Sequence, residues 1–467
     1  MGAPVTLSEP GNDANDVTDA ASAPARAAAG ATWDRHFWLW LLACVALAFV
    51  VRLVYVLLLH WDVPPSGDSA WYHGMANLLP KRVGYIDPAI YNFSGYRIEA
   101  GDHPPLFPAL LAISSSLGGT SWHWHQLVTV FMGACASITI GLAGREVGGA
   151  RVGIVAALLA ALNPAMWIVD GLVLSESMAG FCIGGVVWTA CRAARQPKLG
   201  RCIALGVSLG LTMLVRPEVG MASPLVAIGA LWSRREWRRS LVRIATAAIM
   251  AVAVISPWVA FNFSRYKHPV FLSNGLGYTM AVATCDSTFY TERIGFWDLD
   301  CAFSRGYPPE EQSEGERYLR RIAIDYLKSH YHRVPRVVVV RAGRAWALYR
   351  PLQTVNYNVY EGQPPSPTRA AIWSSYTLYP LAIAGIVLAR RRRLSPLIFL
   401  GVPIAVTVSA MVTFGNTRYR VPADAVVVLA AALAVVALTS RAARRTLWQP
   451  RAANAPVTPP TQQTPAP

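Results

Sequence analysis

Residues 36–60 read HFWLWLLACVALAFVVRLVYVLLLH, an apolar run in which Arg52 is the only charged side chain. A transmembrane α-helix needs about 20 predominantly apolar residues to cross the hydrocarbon core of a bilayer. This run is long enough, and it lacks the small-residue cleavage pattern that ends a signal peptide. We therefore predict that it is retained as the first membrane span.

The same composition extends along the chain, because 54% of its 467 residues are hydrophobic and only 15% are charged. Soluble domains carry roughly 25% charged residues, so an ordinary soluble or disordered protein is excluded. We predict an all-α polytopic membrane protein with a bundle of about ten transmembrane helices within residues 31–445. The predicted spans are 36–60, 125–144, 151–169, 172–191, 202–216, 218–233, 241–263, 371–389, 395–413 and 422–440; the close pair 202–233 is two short spans or a hairpin.

The short loops fix a predicted orientation, because Lys and Arg concentrate on the cytoplasmic side of membrane proteins. With the N-terminus inside, arginine-rich loops near residues 145–151, 192–201, 234–243 and 390–393 all lie inside. Nearly all of the +16 net charge is then cytoplasmic, so topology explains it and nucleic-acid binding is excluded. Residues 1–30 and 446–467 have the composition of disordered cytoplasmic tails.

Two long outer loops follow from this topology, residues 61–124 and 264–370. The first contains an apolar run, 105–117, that is too short to span and predicts an interfacial or re-entrant helix. The second contains helical spacing at Leu319, Ile322, Ala323, Tyr326 and Leu327. This amphipathic pattern predicts either a helix in the membrane interface or a helix of a small outer domain.

The cysteines separate by the same topology, since only Cys285 and Cys301 fall in an outer loop. Disulfides form and persist outside a bacterial inner membrane, so we predict a bridge between these two cysteines. The sequence has no Cys-x-x-Cys and no His-x-x-x-His, and therefore no visible zinc motif.

Ionisable residues near membrane depth are costly and usually functional. Several of them fall at the outer ends of predicted spans, in five separate segments. They are Asp68; Asp102 and His103; Asp170 and Glu176; Arg216 and Glu218; and Arg418 and Arg420. Because all of them lie on the predicted outer side of the membrane, we predict that they form one functional site there.

Most of these residues, and Arg52 in the first predicted span, also have a simpler interpretation. The alternatives are a helix cap for Asp68, a bond to its own helix start for Glu176, a mutual ion pair for Arg216 and Glu218, contacts with lipid phosphates for Arg418 and Arg420, solvation of Asp102, loop chemistry for His103, and snorkelling for Arg52. The shared placement favours a site over seven unrelated explanations.

A site at the outer membrane surface can act on a lipid-linked substrate. A carboxylate can take a proton from an attacking hydroxyl. Arginines can hold a phosphate leaving group and offset its developing charge. Sugar transfer from a polyprenyl phosphate needs both groups.

Five motifs carry a family resemblance, and they occur in one order along about 350 residues. They are Gly67-Asp68 with Tyr72 and Ala76, His103-Pro104-Pro105-Leu106, Leu174-Ser175-Glu176, Arg216-Pro217-Glu218, and Gly415 followed by Arg418-Tyr419-Arg420-Val421-Pro422. Together they resemble the GT-C glycosyltransferases, especially the dolichyl-phosphate-mannose–protein mannosyltransferase and aminoarabinose-transferase-like branch. The segment Cys285 to Cys301 with Gly295-Phe296-Trp297, followed by Arg341 and Arg344-Ala345-Trp346, looks like an actinobacterial subgroup.

The resemblance implies inverting transfer of one sugar from a polyprenyl-phosphate donor on the outer face of the bacterial inner membrane. It makes Asp68 the catalytic acid/base. Many relatives carry a second acid beside it that is missing here, so Asp102 and Glu176 are kept as further catalytic candidates. The candidates for binding the donor phosphate and its lipid head group are His103, Arg216, Arg418, Arg420, Arg341 and Arg344.

The expected partners are the polyprenyl-phosphate sugar donor, the lipid bilayer and an envelope glycan, lipid or protein as acceptor. Mannose and arabinose are the main candidate sugars, and the outer loop 264–370 is expected to cover the donor groove. Some relatives bind a divalent metal; we predict no cofactor and no metal ligands here, and leave the metal open.

Two other functions remain open from the sequence. A transporter or flippase of lipid-linked sugars predicts internal repeats and broken helices near the midplane, and the sequence has no evident repeat. A non-enzymatic envelope scaffold leaves the clustering of Asp68, Glu176, Arg216 and Arg418 unexplained.

Overall fold

Helices account for about three-quarters of the chain that the structure describes, a computed structural model covering residues 16–440 except residue 307, with side chains from residue 35. The first half contains α1 (Asp16–Leu59), α2 (Asp68–Leu78), α3 (Pro88–Ser94), α4 (Leu106–Ser116), α5 (Trp122–Gly148), α6 (Ala150–Leu162), α7 (Pro164–Trp167), α8 (Glu176–Arg195), α9 (Leu199–Met213), α10 (Ser223–Leu231) and α11 (Trp237–Phe263). The second half contains α12 (Leu276–Ala281), α13 (Asp286–Tyr290), α14 (Asp300–Phe303), α15 (Gln312–Ser329), α16 (Val334–Ala345), α17 (Pro351–Asn358), α18 (Pro365–Arg391), α19 (Leu397–Val412) and α20 (Val421–Thr439). Short 3-10 turns at Leu79–Lys81, Asp170–Leu172, Pro217–Ala222, Val359–Glu361 and Thr417–Arg420 join some of them.

The all-α membrane fold predicted from the sequence is confirmed, and the count of ten spans is not. Six helices of the described chain are long and apolar enough to cross a membrane, and a seventh is gained if the pair 150–162 and 164–172, bent by 66°, is one span. The predicted spans at 202–216, 218–233 and 395–413 correspond to shorter apolar helices. At 1.5 Å per residue, the 16 residues of α19 extend about 24 Å, which is less than the hydrocarbon thickness.

Helix α20 lies at the centre of the bundle. It packs against α5, α6, α8, α18 and α19, and 83% of its most apolar window is buried inside the protein. Its sequence is mostly Ala and Val, without the polar stripe of a surface helix. Small side chains allow neighbouring backbones to approach closely, which is how helices associate inside a bilayer.

The predicted inner loops meet at one end of this bundle. Arg195 pairs with Glu146 at 3.4 Å, and the guanidinium of Arg392 donates to the carbonyl oxygen of Val147 at 3.4 Å. The two long loops lie at the opposite end. The structure therefore separates the arginine-rich loops from the predicted outer loops.

The outer loops are themselves helical. The predicted short helix at 105–117 is α4, and it packs on α2 with Phe107 and Leu111 buried. The predicted amphipathic helix is α15, and its apolar face packs on α12 with Leu319 and Ala323 buried. This packing favours a helix of a small outer domain over one that lies in the membrane interface.

The predicted disordered tails have two outcomes. Residues 16–30 form the beginning of α1, which corrects the expectation of disorder for them. This segment is rich in alanine, the residue with the highest helix propensity. Residues 1–15 and the predicted tail 446–467 lie outside the described residues.

Candidate active site

A cluster of charged side chains lies at the outer-loop end of the bundle, with Arg418 at its centre. Arg418 follows α19 in the 3-10 turn Thr417–Arg420, which Asn416 caps by accepting from the Arg418 backbone N–H. Its Nε lies 2.6 Å from Glu176 Oε1 and its Nη1 lies 2.8 Å from Glu361 Oε2. Its Nη2 donates to Asp68, which is 350 positions away in the sequence. One guanidinium thus joins three carboxylates from distant parts of the chain.

Arg216 is the second cation of this cluster. Its Nη1 lies 2.8 Å from Glu176 Oε1, and its Nε donates to Glu218. Glu176 is fully buried, and it bridges the two arginines because its Oε1 contacts both guanidinium groups. The guanidinium groups of Arg216 and Arg418 both contact the ring of Tyr419, 5.4 Å from its centroid.

The cluster carries more negative than positive charge. Four carboxylates, Asp68, Glu176, Glu218 and Glu361, are joined by ion pairs to the two guanidinium groups. With the nearby histidine neutral, the net charge is −2. Such a cluster can hold an additional cation, or it can exchange one of its carboxylates for another anion.

Asp68 opens α2 and is the most exposed member, with 38% of its side chain accessible. Gly67 before it has φ of 52°, a left-handed conformation that glycine adopts without strain. Gly67 is the N-cap of α2 and Asp68 is its first helical residue, so Asp68 does not occupy the capping position. Burial alone would raise the pKa of Asp68, but the charges of Arg418 and His103 outweigh it and lower the pKa to about 2.

His103 lies beside Asp68 on the first outer loop. Its Nε2 is 3.8 Å from Asp68 Oδ1, and its Nδ1 shares a hydrogen bond with the Tyr72 hydroxyl at 3.1 Å. Burial lowers the pKa of His103, although the charge of Asp68 acts in the opposite direction. The imidazole is therefore mainly neutral at neutral pH and can accept or relay a proton.

Asp102 lies outside the arginine cluster. Its Oδ2 accepts a hydrogen bond from Gln312 at the start of α15, and the Gly101 N–H donates to the same Gln312 side chain at 2.7 Å. Gln312 therefore holds the Gly101–His103 segment of the first outer loop against the second. Burial raises the pKa of Asp102 to about 7.

Known proteins share this fold. Residues 102–261 match the dolichyl-phosphate-mannose-protein mannosyltransferase family. The structure is similar to the oligosaccharyltransferase of Archaeoglobus fulgidus solved with a tethered acceptor peptide, with 16% identity and a TM-score of 0.52. This similarity covers 87% of this chain and 51% of that chain. The chain is therefore similar to this mannosyltransferase family over residues 102–261 and to this oligosaccharyltransferase in fold.

A second solved structure is also similar, that of ArnT from Cupriavidus metallidurans bound to undecaprenyl phosphate. It is 16% identical with a TM-score of 0.38, and the similarity covers 85% of this chain and 77% of ArnT. The chain spans about half the length of the archaeal oligosaccharyltransferase. No curated protein sequence matches the chain significantly.

Five of the residues predicted from the GT-C resemblance come together at this site. Asp68, Glu176, Arg216 and Arg418 are linked by ion pairs, and His103 lies against Asp68. The ion pair predicted as an alternative between Arg216 and Glu218 is also present, but Arg216 contacts Glu176 as well. A mutual ion pair with Glu218 therefore describes only part of the environment of Arg216.

Sequence reasoning missed Glu361. This residue ends the 3-10 turn Val359–Glu361 near the end of the second outer loop, and the Trp297 indole donates to its Oε1 at 2.7 Å. One signal was present in the sequence: Glu361 is the only acidic residue between Asp325 and Asp424. A single acid in a long basic and apolar stretch is a candidate partner for a buried arginine.

The prediction that Arg420 binds the donor phosphate needs correction. Its Nε pairs with Asp424 at 3.0 Å and its Nη2 donates to Ser375 at 2.8 Å. Only 2% of its side chain is exposed. The guanidinium therefore points into the bundle, where it joins α20 to α18.

The same correction applies to Arg341 and Arg344 of α16. Arg341 donates to the carbonyl oxygens of Met411 and Val412 at the end of α19, and Arg344 donates to that of Ile294 at 2.6 Å. Both are buried, and burial lowers the pKa of Arg341 to about 10. Arg341 therefore fastens the second outer loop to the bundle, Arg344 joins two parts of that loop, and the structure brings neither guanidinium into the cluster.

Arg52 and Asp170 form a separate buried pair in the bundle. Arg52 Nε lies 2.6 Å from Asp170 Oδ2, and both side chains are fully buried. A Cβ on Gly133 would lie 2.2 Å from that carboxylate oxygen, so the missing side chain makes room for the pair. Arg52 therefore does not snorkel to the surface, and Asp170 is not part of the cluster.

The segment with Cys285 and Cys301 is closed by a disulfide, with 5.4 Å between the Cα atoms. It carries Trp297, the partner of Glu361, and the Gly415 N–H donates to the carbonyl oxygen of Gly295 at 2.8 Å. This disulfide loop therefore contacts both Glu361 of the cluster and the segment just before the turn that holds Arg418.

No group of three or more His, Cys, Asp or Glu side chains within residues 35–440 is placed to hold a metal ion. The carboxylates of the cluster face arginines. The reaction proposed below uses only the side chains of this chain.

Proposed function

We propose that this protein is a membrane glycosyltransferase that moves one sugar from a polyprenyl-phosphate donor to a cell-envelope acceptor, with inversion at the anomeric carbon. The observation that carries the proposal is the contact of Asp68 with Arg418 beside Glu176 and Arg216. This contact supports the assignment of a base and two neighbouring phosphate ligands at one end of a membrane bundle.

Asp68 is the proposed base. The low pKa of Asp68 keeps its carboxylate ionised at neutral pH, and its exposure leaves one side open to an acceptor. The carboxylate takes the proton of the acceptor hydroxyl while the oxygen attacks the anomeric carbon. The bond from that carbon to the phosphate oxygen breaks, and its electron pair leaves with the polyprenyl phosphate.

Arg418 and Arg216 are the proposed ligands of the leaving phosphate. A guanidinium has a planar fork of donors that matches phosphate oxygens, and it stays charged when buried. Negative charge grows on the phosphate as the sugar departs, so fixed positive charge stabilises the transition state more than the ground state. His103 is proposed to lie on the acceptor side, because its Nε2 lies 3.8 Å from Asp68 Oδ1.

The finer parts of the proposal rest on the sequence resemblance. We propose mannose or arabinose as the sugar and an envelope glycan, lipid or protein as the acceptor. We also propose that the protein lies in a bacterial plasma membrane with both termini cytoplasmic and the cluster on the outer face. The segregation of arginine-rich loops to the opposite end of the bundle supports this orientation.

The test is transfer of radiolabelled sugar to envelope extract from a panel of polyprenyl-phosphate sugars. The panel holds mannose and arabinose donors, and the proteins are wild type, Asp68→Asn and Asp62→Asn. Asp62 is an exposed carboxylate on the same loop and serves as the matched control. Loss of a general base typically costs about 10²–10⁴-fold in rate, so Asp68→Asn is expected to lose at least 100-fold and Asp62→Asn to keep wild-type transfer.

Equal transfer by wild type and Asp68→Asn would remove Asp68 as the base and direct attention to Asp102 and Glu176. Movement of labelled donor across vesicles without transfer to any acceptor would instead favour a flippase.

A further inference from the structure

In the described structure, every nitrogen of the Arg418 guanidinium already has an anionic partner. Nε faces Glu176, Nη1 faces Glu361 and Nη2 faces Asp68. Only 11% of the side chain is exposed. A donor phosphate that binds Arg418 must therefore share these nitrogens with the carboxylates, through the second N–H of Nη1 or Nη2, or take the place of one carboxylate.

The charge of the cluster favours replacement of a carboxylate. Its four carboxylates already exceed its two guanidinium groups by two negative charges. A phosphodiester would add a third, and uncompensated like charges in a buried site are strongly unfavourable. Exchange of one carboxylate for the phosphate leaves the net charge unchanged.

Glu361 is the carboxylate that can leave. Glu176 is fully buried and bridges both arginines, and Asp68 is the proposed base. Of the two cluster arginines, Glu361 contacts Arg418 alone, and it lies on a three-residue turn of the outer loop. Burial raises the pKa of Glu361 despite the charge of Arg418, whereas the pKa of Asp68 is lowered. The protein therefore stabilises the ionised form of Glu361 less than it stabilises the ionised form of Asp68.

Trp297 gives Glu361 a second partner that does not depend on Arg418. The indole N–H donates to Oε1, while Arg418 Nη1 contacts Oε2. Glu361 can therefore lose its arginine and keep one hydrogen bond within the outer loops. Trp297 belongs to the disulfide loop Cys285–Cys301, so displacement of Glu361 would change the contacts of that loop.

We propose that Glu361 is a positioning residue that occupies, on Arg418, the place of the donor phosphate, and that donor binding exchanges one anion for the other. This inference rests on the proposed function. In the free protein Glu361 keeps Arg418 oriented and partly neutralised. In the donor complex Glu176 still holds Arg418 Nε, and Nη1 is available to the phosphate. Only an anionic ligand can displace Glu361, so the exchange selects a phosphate-linked donor.

The experiment measures binding of undecaprenyl phosphate to detergent-purified protein by calorimetry, with uncharged undecaprenol as the second probe. Glu361→Gln keeps the shape of the side chain and an acceptor for Trp297 but removes the competing charge. We expect it to bind undecaprenyl phosphate about tenfold more tightly than wild type, with binding of undecaprenol unchanged. Trp297→Phe loosens Glu361 and is expected to tighten binding by a smaller factor.

Glu310→Gln is the matched control, because Glu310 is exposed on the same outer loop. It is expected to bind both probes as wild type does. A purely structural role for Glu361 predicts the opposite sign, since damage to the site weakens phosphate binding. Unchanged or weaker binding by Glu361→Gln would overturn the inference.

Arg418→Gln separates this failure from failure of the proposed function. Suppose that wild type binds undecaprenyl phosphate, that Arg418→Gln does not bind it, and that Glu361→Gln binds it no more tightly than wild type. In that case only the proposed exchange is wrong. If wild type binds undecaprenyl phosphate no better than undecaprenol, the donor site itself is wrong and the exchange is overturned with it.

Discussion

Arg418 and Arg420 are two positions apart in one 3-10 turn, and their guanidinium groups have different partners. Arg418 contacts three carboxylates at the end of the bundle, and Arg420 pairs with Asp424 inside it. A 3-10 turn has three residues per turn, so each residue is rotated by about 120° from the one before. Two arginines at this spacing point in different directions, and only one can face the cluster.

Asp102 and Asp68 lie on the same outer loop, and their carboxyl groups have opposite pKa shifts. Burial, the largest effect, raises the pKa of Asp102 to about 7, and the charges of Asp87, Glu316 and Asp68 act in the same direction. The hydrogen bond from Gln312 opposes the shift. A raised folded-state pKa stabilises the protein below the unfolded pKa near 3.8, and this contribution is lost as the pH rises through about 7.

Asp102→Asn should therefore increase stability at high pH. The amide is neutral and can still accept from Gln312, so the melting temperature is expected to match wild type near pH 4 and to exceed it by about 2–4 °C at pH 8. The measurement is thermal unfolding in detergent across this range, with Asp62→Asn as an exposed control. A melting difference that does not change with pH would contradict the assignment.

At the scale of helices, close packing in the bundle depends on particular small residues. A Cβ on Gly385 of α18 would lie 1.8 Å from the carbonyl oxygen of Ala430 on α20. Real Cβ atoms do not approach backbone this closely, so the two helices would have to separate. By contrast, a Cβ on Gly185 of α8 would meet nothing within 4 Å.

These two helical glycines form a matched pair for mutation. Gly385→Ala should destabilise the protein by about 1–3 kcal/mol, because overpacking at a close contact forces backbone shifts. Gly185→Ala should be neutral or stabilise it by up to about 1 kcal/mol, because alanine has the higher helix propensity. Denaturation of both variants in detergent measures the contrast, and equal stabilities would contradict the packing of α18 on α20.

For the whole molecule, the main feature is the difference between the two ends of the bundle. Loops rich in arginine meet at one end, around Glu146 and Val147. The acidic cluster and both long loops lie at the other end. This polarity follows the distribution of basic residues that orients membrane proteins.

The orientation can be tested with cysteine labelling in whole cells. The five cysteines outside the disulfide are buried, so the background reaction should be low. We expect a membrane-impermeant maleimide to label Asp62→Cys in intact cells and Arg235→Cys only after permeabilisation, since both positions are exposed but lie at opposite ends. The reverse pattern would show that the cluster faces the cytoplasm.

The sequence by itself determined the class of the fold and the neighbourhood of the site. Hydrophobic length identified the helices of the bundle, because crossing a bilayer requires a long run of apolar residues. The cost of placing ionisable groups near membrane depth pointed to Asp68, Glu176, Arg216 and Arg418. These are constraints on composition and position, and one sequence is enough to apply them.

Only the tertiary structure decided which charged residues meet. Nothing local predicts that Arg418 contacts a carboxylate 350 positions away, or that Arg341 and Arg344 bind backbone carbonyls. Glu361 joins the cluster because the outer loop folds back over the bundle and Trp297 holds it there. Partners of a charge depend on side-chain direction and on contacts between distant segments, and neither is set by the spacing of residues along the chain.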